Sequence, residues 1–313
     1  LNISLASVAS ANFATTGVTA TSVETIKITA TDNSTAADGS LADTLTVLGN
    51  DAKAITVAGN AHLTLTAAST AVTSFDASSF SGTGAGAAAT GVSWTSGALT
   101  AAVTIKGSLT GGDVFNATAA TKAVTITEIA GTNSITGSGT FASTLTGGTG
   151  VDTITGGAGL DVIVGGGGAD IISGGAGADL ITLSGNKATI VQASGSSGLN
   201  TATTIQTSEL TSTFDVIKGV VAGDQINLGN ASIIAANLTI GGANLAAGAM
   251  DTAVLTFGTY DSAAGTFTFA ANGLDTALTY SHSAGSVVAE TIILVGYHPA
   301  AATAAAAGII TLA

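Results

Sequence analysis

Between Gly147 and Thr182 the chain repeats one nine-residue sentence four times without an insertion: GGTGVDTIT, GGAGLDVIV, GGGGADIIS, GGAGADLIT. Each copy fits GGxGxDxUx, where U is a large aliphatic residue. A fixed period with one aliphatic per unit builds a coil, because each unit buries its single apolar side chain only by stacking on the next. Ile154, Ile163, Ile172 and Ile181 occupy U and stack inside such a coil, with the six-residue glycine turns facing outward. Two nine-residue half-turns make one full turn, so equivalent loops recur every 18 residues on the same edge.

That recurrence brings carboxylates together. Asp152 is expected to face Asp170 across one ion, and Asp161 to face Asp179 across another on the opposite edge. Calcium takes about six to eight oxygen ligands, so backbone carbonyls must complete each shell: those of Gly147, Thr149 and Gly150, of Gly156, Ala158 and Gly159, of Gly165, Gly167 and Gly168, and of Gly174, Ala176 and Gly177. Glycine at the first, second and fourth positions lets the backbone aim its carbonyls without a Cβ in the way. Without metal, facing carboxylates repel and the glycines carry a large entropic cost, so the segment is expected to fold on binding calcium. Upstream, Ser143 stands where Asp belongs; downstream Ala188 does, and the ladder is expected to end there.

The rest of the chain suits the same architecture. Glycine is 43 of 313 residues, aromatics are 4% and charged residues 8%, while apolar residues still make 46%. Such small side chains fit thin stacked rungs better than a conventional core, and the apolar content argues against disorder. VETIKITATD (Val23–Asp32) alternates as a half-buried strand does. DTLTVLGN, AITVAGN, HLTLTAAST and AVTSFDAS follow at nine- or ten-residue spacing, with Leu45, Val47, Ile55, Val57, Leu63, Leu65 and Val72 pointing inward and Gly49-Asn50 and Gly59-Asn60 at corners. SGTGAGAAATG (Ser81–Gly91) reads as a loop, after which strands resume at Leu99, Val103–Ile105, Val124–Ile126 and Ile135. Trp94 reads as a packing anchor at the coil edge. Beyond Ser184, Phe257, Tyr260, Phe267, Phe269, Tyr280 and Tyr297 supply the bulk that a cap over the last rung requires.

The fold class expected is therefore all-β: a right-handed parallel β-roll or β-solenoid with calcium-binding turns and a C-terminal β capping region. Four segments follow: 1–140 a Thr/Ala/Ser-rich solenoid-like region, 141–185 the roll, 186–297 the β capping domain, and 298–313 a C-terminal signal.

Other chemistry is sparse. A net charge of −13, with six lysines and no arginine, disfavours nucleic acid and anionic lipid and suits cations or plain solubility. No cysteine is present, so stability must come from packing, metal or assembly. No apolar stretch is long enough to span a membrane as a helix. LNISLASVAS lacks the basic region of a signal peptide, and the chain is expected to be the C-terminal part of a longer protein. HExxH, GxSxG and GxxxxGK[ST] are missing, and His62, His282 and His298 are scattered, so no catalytic residue and no enzyme activity are expected. Asp113, after Gly111-Gly112, suits either calcium or a solvated turn. Asp215 and Asp224 are read as capping-segment residues that hydrogen-bond to turns.

The four units resemble the RTX, or haemolysin-type, calcium-binding repeats of proteins exported by bacterial type I secretion. Phe214–Gly229 and ETIILVGY resemble the region following the roll in that group, and the Ala-rich C-terminus is similar to its uncleaved secretion signal. RTX proteins include toxins, proteases and lipases, adhesins and surface-layer proteins of Gram-negative bacteria. A long small-residue β-coil without a catalytic motif looks like the surface-layer branch. The resemblance implies calcium as cofactor, recognition of the C-terminus by the type I machinery, secretion to the cell surface, and self-assembly into a lattice. The alternative is the secretion and folding module of an RTX enzyme, toxin or adhesin whose active domain lies upstream.

Overall fold

A computed structural model describes residues 1–7, 14–19, 21–33, 42–48, 51–67, 69–82, 91–184, 186–192, 199–200, 209–211, 214–229, 238–240, 251–281, 289–299, 302–305 and 308–313. It is all-β among these residues, and the chain divides into two compact units, Leu1–Ala158 and Gly159–Ala313. The division falls inside the second nonapeptide.

In the first unit the chain passes alternately between two parallel sheets. One stacks Asn2–Ser7, Thr25–Asp32, Ala54–Gly59, Ser74–Phe80, Val103–Lys106, Val124–Thr127 and Ser143–Thr146. The other stacks Ala14–Thr19, Ala42–Leu48, His62–Ala67, Val92–Ser96, Val114–Asn116, Ser134–Thr136 and Thr153–Gly157. Register keeps like residues above one another. Ile26, Ile55, Phe75, Ile105, Ile126 and Leu145 form one inward column; Leu45, Leu65, Trp94, Phe115, Ile135 and Ile154 form the other. All twelve are buried. A one-residue slip would turn every one of them to solvent, so this burial is what holds the register.

Leu45, Val47, Ile55, Val57, Leu63, Leu65 and Val72 are buried as expected. Three expectations need correction. Leu99 is buried but lies outside any strand; the strands of that stretch are Val92–Ser96, Val103–Lys106 and Val114–Asn116. Trp94 is no edge anchor: it lies between the sheets, stacked on Phe75 at 4.7 Å and 14° and meeting Phe115 edge-on. Such aromatic pairs add about 0.5–1.5 kcal/mol each beyond area burial, and they fill the coil where its wall residues are small. His62 is partly buried rather than a surface residue. Gly49-Asn50, residues 83–90 and His282 lie outside the described residues.

The second unit continues the same construction and then departs from it. Ile163, Ile181 and Ile217 form one inward column, and Ile172, Ile190 and Ile226 the other. The ladder does not end at Ala188, as the loss of Asp there suggested. Thr189–Val191 pairs in parallel with Gln225–Asn227, and Leu180–Thr182 with Asp215–Lys218, so the next rung follows an intervening stretch of chain. Apolar stacking, not the aspartate, defines a rung.

The cap is antiparallel. Ala253–Asp261, Thr266–Phe269, Asp275–Ser281 and Ala289–Val295 form a meander around Phe214, Phe267, Ala277 and Ile293, with Tyr260 and Phe269 packed against them. Ala289–Val295 also pairs in parallel with Asp215–Lys218, and Ile309–Leu312 pairs antiparallel with Gln225–Asn227. Both open edges of the last rung are thereby satisfied, which an unpaired sheet edge requires.

Candidate metal centre

In each nonapeptide the aliphatic U side chain points into the coil, so the aspartate two residues earlier also points inward, at the mouth of the turn. Asp152, Asp161, Asp170 and Asp179 are accordingly all buried. A buried carboxylate needs donors or a cation to compensate for lost hydration.

In the second unit the backbone N–H of Asp161 donates to Asp179 Oδ1 at 2.8 Å, and that of Asp179 to Asp215 Oδ1 at 2.9 Å. The expected juxtaposition of Asp161 with Asp179 is present, and Asp215 extends it by a rung. On the opposite edge Ala188 N–H donates to Asp224 Oδ1 at 2.7 Å, while Asp170 offers its backbone carbonyl to Thr189. Asp152 belongs to the first unit and Asp170 to the second.

Asp215 and Asp224 are therefore roll residues. Asp224 does accept a turn hydrogen bond, from Val221 N–H at 2.8 Å, but both aspartates sit where the repeat places its own. Their signal in the sequence was the nine-residue interval in FDVIKGVVAGDQINLG, with Ile217 and Ile226 two residues after each Asp. The loss of the glycines concealed it.

The second oxygen of Asp179 carries the evidence for a cation. Oδ2 is buried with no hydrogen-bond partner, and burial pushes this carboxyl up to about 7, helped by the charge of Asp161 and opposed by the Asp161 N–H bond. Burial likewise raises Asp215 to about 8. In the third and fourth repeats the first glycine makes room for this group: a Cβ on Gly174 would stand 2.1 Å from Asp179 Oδ2, and one on Gly165 2.6 Å from Asp170 Oδ2. At the second and fourth positions Gly175 and Gly177 hold φ of +101° and +139°, and a Cβ on Gly177 would strike the Gly159 carbonyl oxygen at 2.0 Å. Only glycine accepts both conditions.

The first unit reveals where the carbonyls point. Residues Glu128–Thr136, EIAGTNSIT, keep the repeat frame with Asn133 at the aspartate position and Ile135 at U. Asn133 Nδ2 donates to the carbonyls of Ala130, Gly131 and Gly147 at 3.1, 3.2 and 3.1 Å. These are the third and fourth positions of its own turn and the first position of the next turn on that edge. The amide thus occupies a point ringed by three carbonyls of the positions expected to bind metal, and Asn133 N–H donates to Asp152 Oδ1 at 2.8 Å. Where aspartate replaces asparagine no such donor exists, and the same oxygens suit a hard cation. The residues present fit calcium.

Asp113 is corrected in the same way. It is fully buried, not a solvated turn residue, and accepts from Val92 N–H at 2.6 Å and Ser108 N–H at 2.7 Å. Among the described residues, no three His, Asp or Glu side chains converge, so any cation here is held by one or two carboxylates with carbonyls.

Comparison with known proteins agrees with this geometry. RTX calcium-binding nonapeptide repeats match residues 146–181 in four copies, a frame that begins one residue before the units as written above. No curated protein matches the chain.

Proposed function

We propose that this protein is a structural constituent of a bacterial surface layer, exported by type I secretion and folding and assembling when it meets calcium outside the cell. Calcium-binding repeats and an all-β parallel roll are its established features. The chain's own residues perform the rest. Asp179 and its counterparts hold buried oxygens toward the turns, the glycines admit them, and the inward isoleucines lock register once the turns close. Calcium supplies the positive charge that these oxygens lack. A chain without cysteine whose turns depend on metal stays extended where calcium is scarce and folds where it reaches about millimolar levels.

Assembly is favoured by one observation. Leu109, Ile129 and Val151 are exposed by 50%, 45% and 46% on successive turns of the same edge of the first unit. Apolar side chains exposed on three successive turns of one edge suit contact with another copy. We read the chain as a non-enzyme, because its sequence carries no HExxH or GxSxG motif.

Circular dichroism and light scattering through a calcium titration test this, with the double substitution Asp161→Ala, Asp170→Ala as comparison. Wild type is expected to gain β signal and large particles together, and the double variant neither. A calcium-folded monomer would instead mark the chain as a secretion and folding module.

A further inference from the structure

Glu128 stands at the first position of the EIAGTNSIT turn, where the repeat has glycine, and its side chain points into the coil. It is 3% exposed, and neither Oε1 nor Oε2 has a hydrogen-bond partner. Its neighbour is another carboxylate, Asp113, with Asp152 also contributing negative charge. Asp113 accepts from two backbone donors, Val92 N–H and Ser108 N–H. Lys106, on the preceding strand, is turned to Asp76 at 3.6 Å. The turn below has opened a space for this carboxylate: a Cβ on Gly107 would stand 1.6 Å from Glu128 Oε2, although Gly107 has no positive φ and needs no glycine for its backbone. Glycine there serves the Glu128 head group alone.

From this cluster we infer a further cation site, upstream of the four repeats, in which Glu128 and Asp113 together hold a hard divalent cation of the calcium class. The donors are oxygens only, two carboxylates beside a glycine turn, which selects calcium-like ions over zinc or copper. The inference does not depend on surface-layer assembly. Its rival is a carboxyl–carboxylate pair in which Glu128 keeps its proton and donates it to Asp113; burial, reinforced by Asp113 and Asp152, lifts Glu128 to about 10 when no cation is present.

Terbium, a luminescent hard cation that substitutes for calcium, separates the two. Trp94 is the chain's one tryptophan, and its strand pairs directly with Val114–Asn116, which begins after Asp113. Asp152 precedes a strand three places from that of Trp94, roughly 14 Å at about 4.8 Å per strand. Excitation of Trp94 in the full chain therefore reports chiefly on the Asp113–Glu128 position. Expected are sensitised emission that calcium displaces, at least fivefold weaker emission in Glu128→Gln, and recovery in Glu128→Asp. Undiminished emission in a folded Glu128→Gln overturns the proposal. So does a wild type that gains β signal with terbium but shows no sensitised emission, which establishes the shared proton instead; this arm decides even if Glu128→Gln fails to fold. The repeats' own calcium response is read separately by circular dichroism.

Discussion

At the scale of single residues, the roll places negative charge where water cannot reach it and makes glycine the residue that permits this. Gly174 illustrates the second half. Alanine there would press on Asp179 Oδ2, so Gly174→Ala is expected to raise the calcium concentration at the folding midpoint at least tenfold, read by circular dichroism. Asp179→Asn separates charge from hydrogen bonding. Asparagine keeps an acceptor for the Asp161 N–H and removes the buried charge, much as Asn133 does at the aspartate position of its own turn in the first unit. The variant is expected to show more β structure than wild type in chelator at neutral pH and a smaller increment on adding calcium. An unchanged increment would move the metal away from Asp179. The four repeat aspartates were legible in the sequence because spacing and glycine code coincide on them. Glu128 and Asn133 were not, because a glutamate in place of glycine reads as the end of a motif until its carboxylate is seen lying over Gly107.

Elements show what a rung is. Val114–Asn116 and Ser134–Thr136 are three residues long, below the length at which alternation can be recognised. They exist because neighbours on both sides fix their register through Phe115 and Ile135. Asp215–Lys218 was read as cap for the opposite reason: its surroundings are ordinary in composition, yet Ile217 stacks on Ile181 and the strand joins the roll. The cap proper begins with the antiparallel meander, whose bulk is aromatic. Phe267, fully buried among Phe214, Ala277 and Ile293, should be its most sensitive point. Phe267→Ala is expected to cost about 3–5 kcal/mol, measured by denaturant unfolding of the calcium-loaded protein. A loss within 1 kcal/mol would mean that the cap contributes little to closing the roll.

Over the whole molecule, acidity and metal dependence are one property. Burial raises Asp179 to about 7 and Asp215 to about 8 in the metal-free fold, whereas both titrate near 3.9 when unfolded. Between those limits the folded chain binds more protons than the unfolded one, so stability falls as pH rises. The calcium-free protein is expected to gain β signal as pH is lowered from about 8 toward 4, and calcium binding at pH 7 to release protons, measurable by titration in weak buffer. A calcium-free chain whose β content is flat over that range would contradict the burial of these groups. Sequence by itself determined the period, the inward isoleucines and the aspartates of the repeat, since a nine-residue coil leaves each position one direction to face. Tertiary structure alone decided that the ladder resumes at Asp215 and Asp224, that Trp94 packs inside the coil, and that Glu128 meets Asp113. Those facts depend on which rungs become neighbours after chain of irregular length has passed between them, and periodicity carries no information across an interruption.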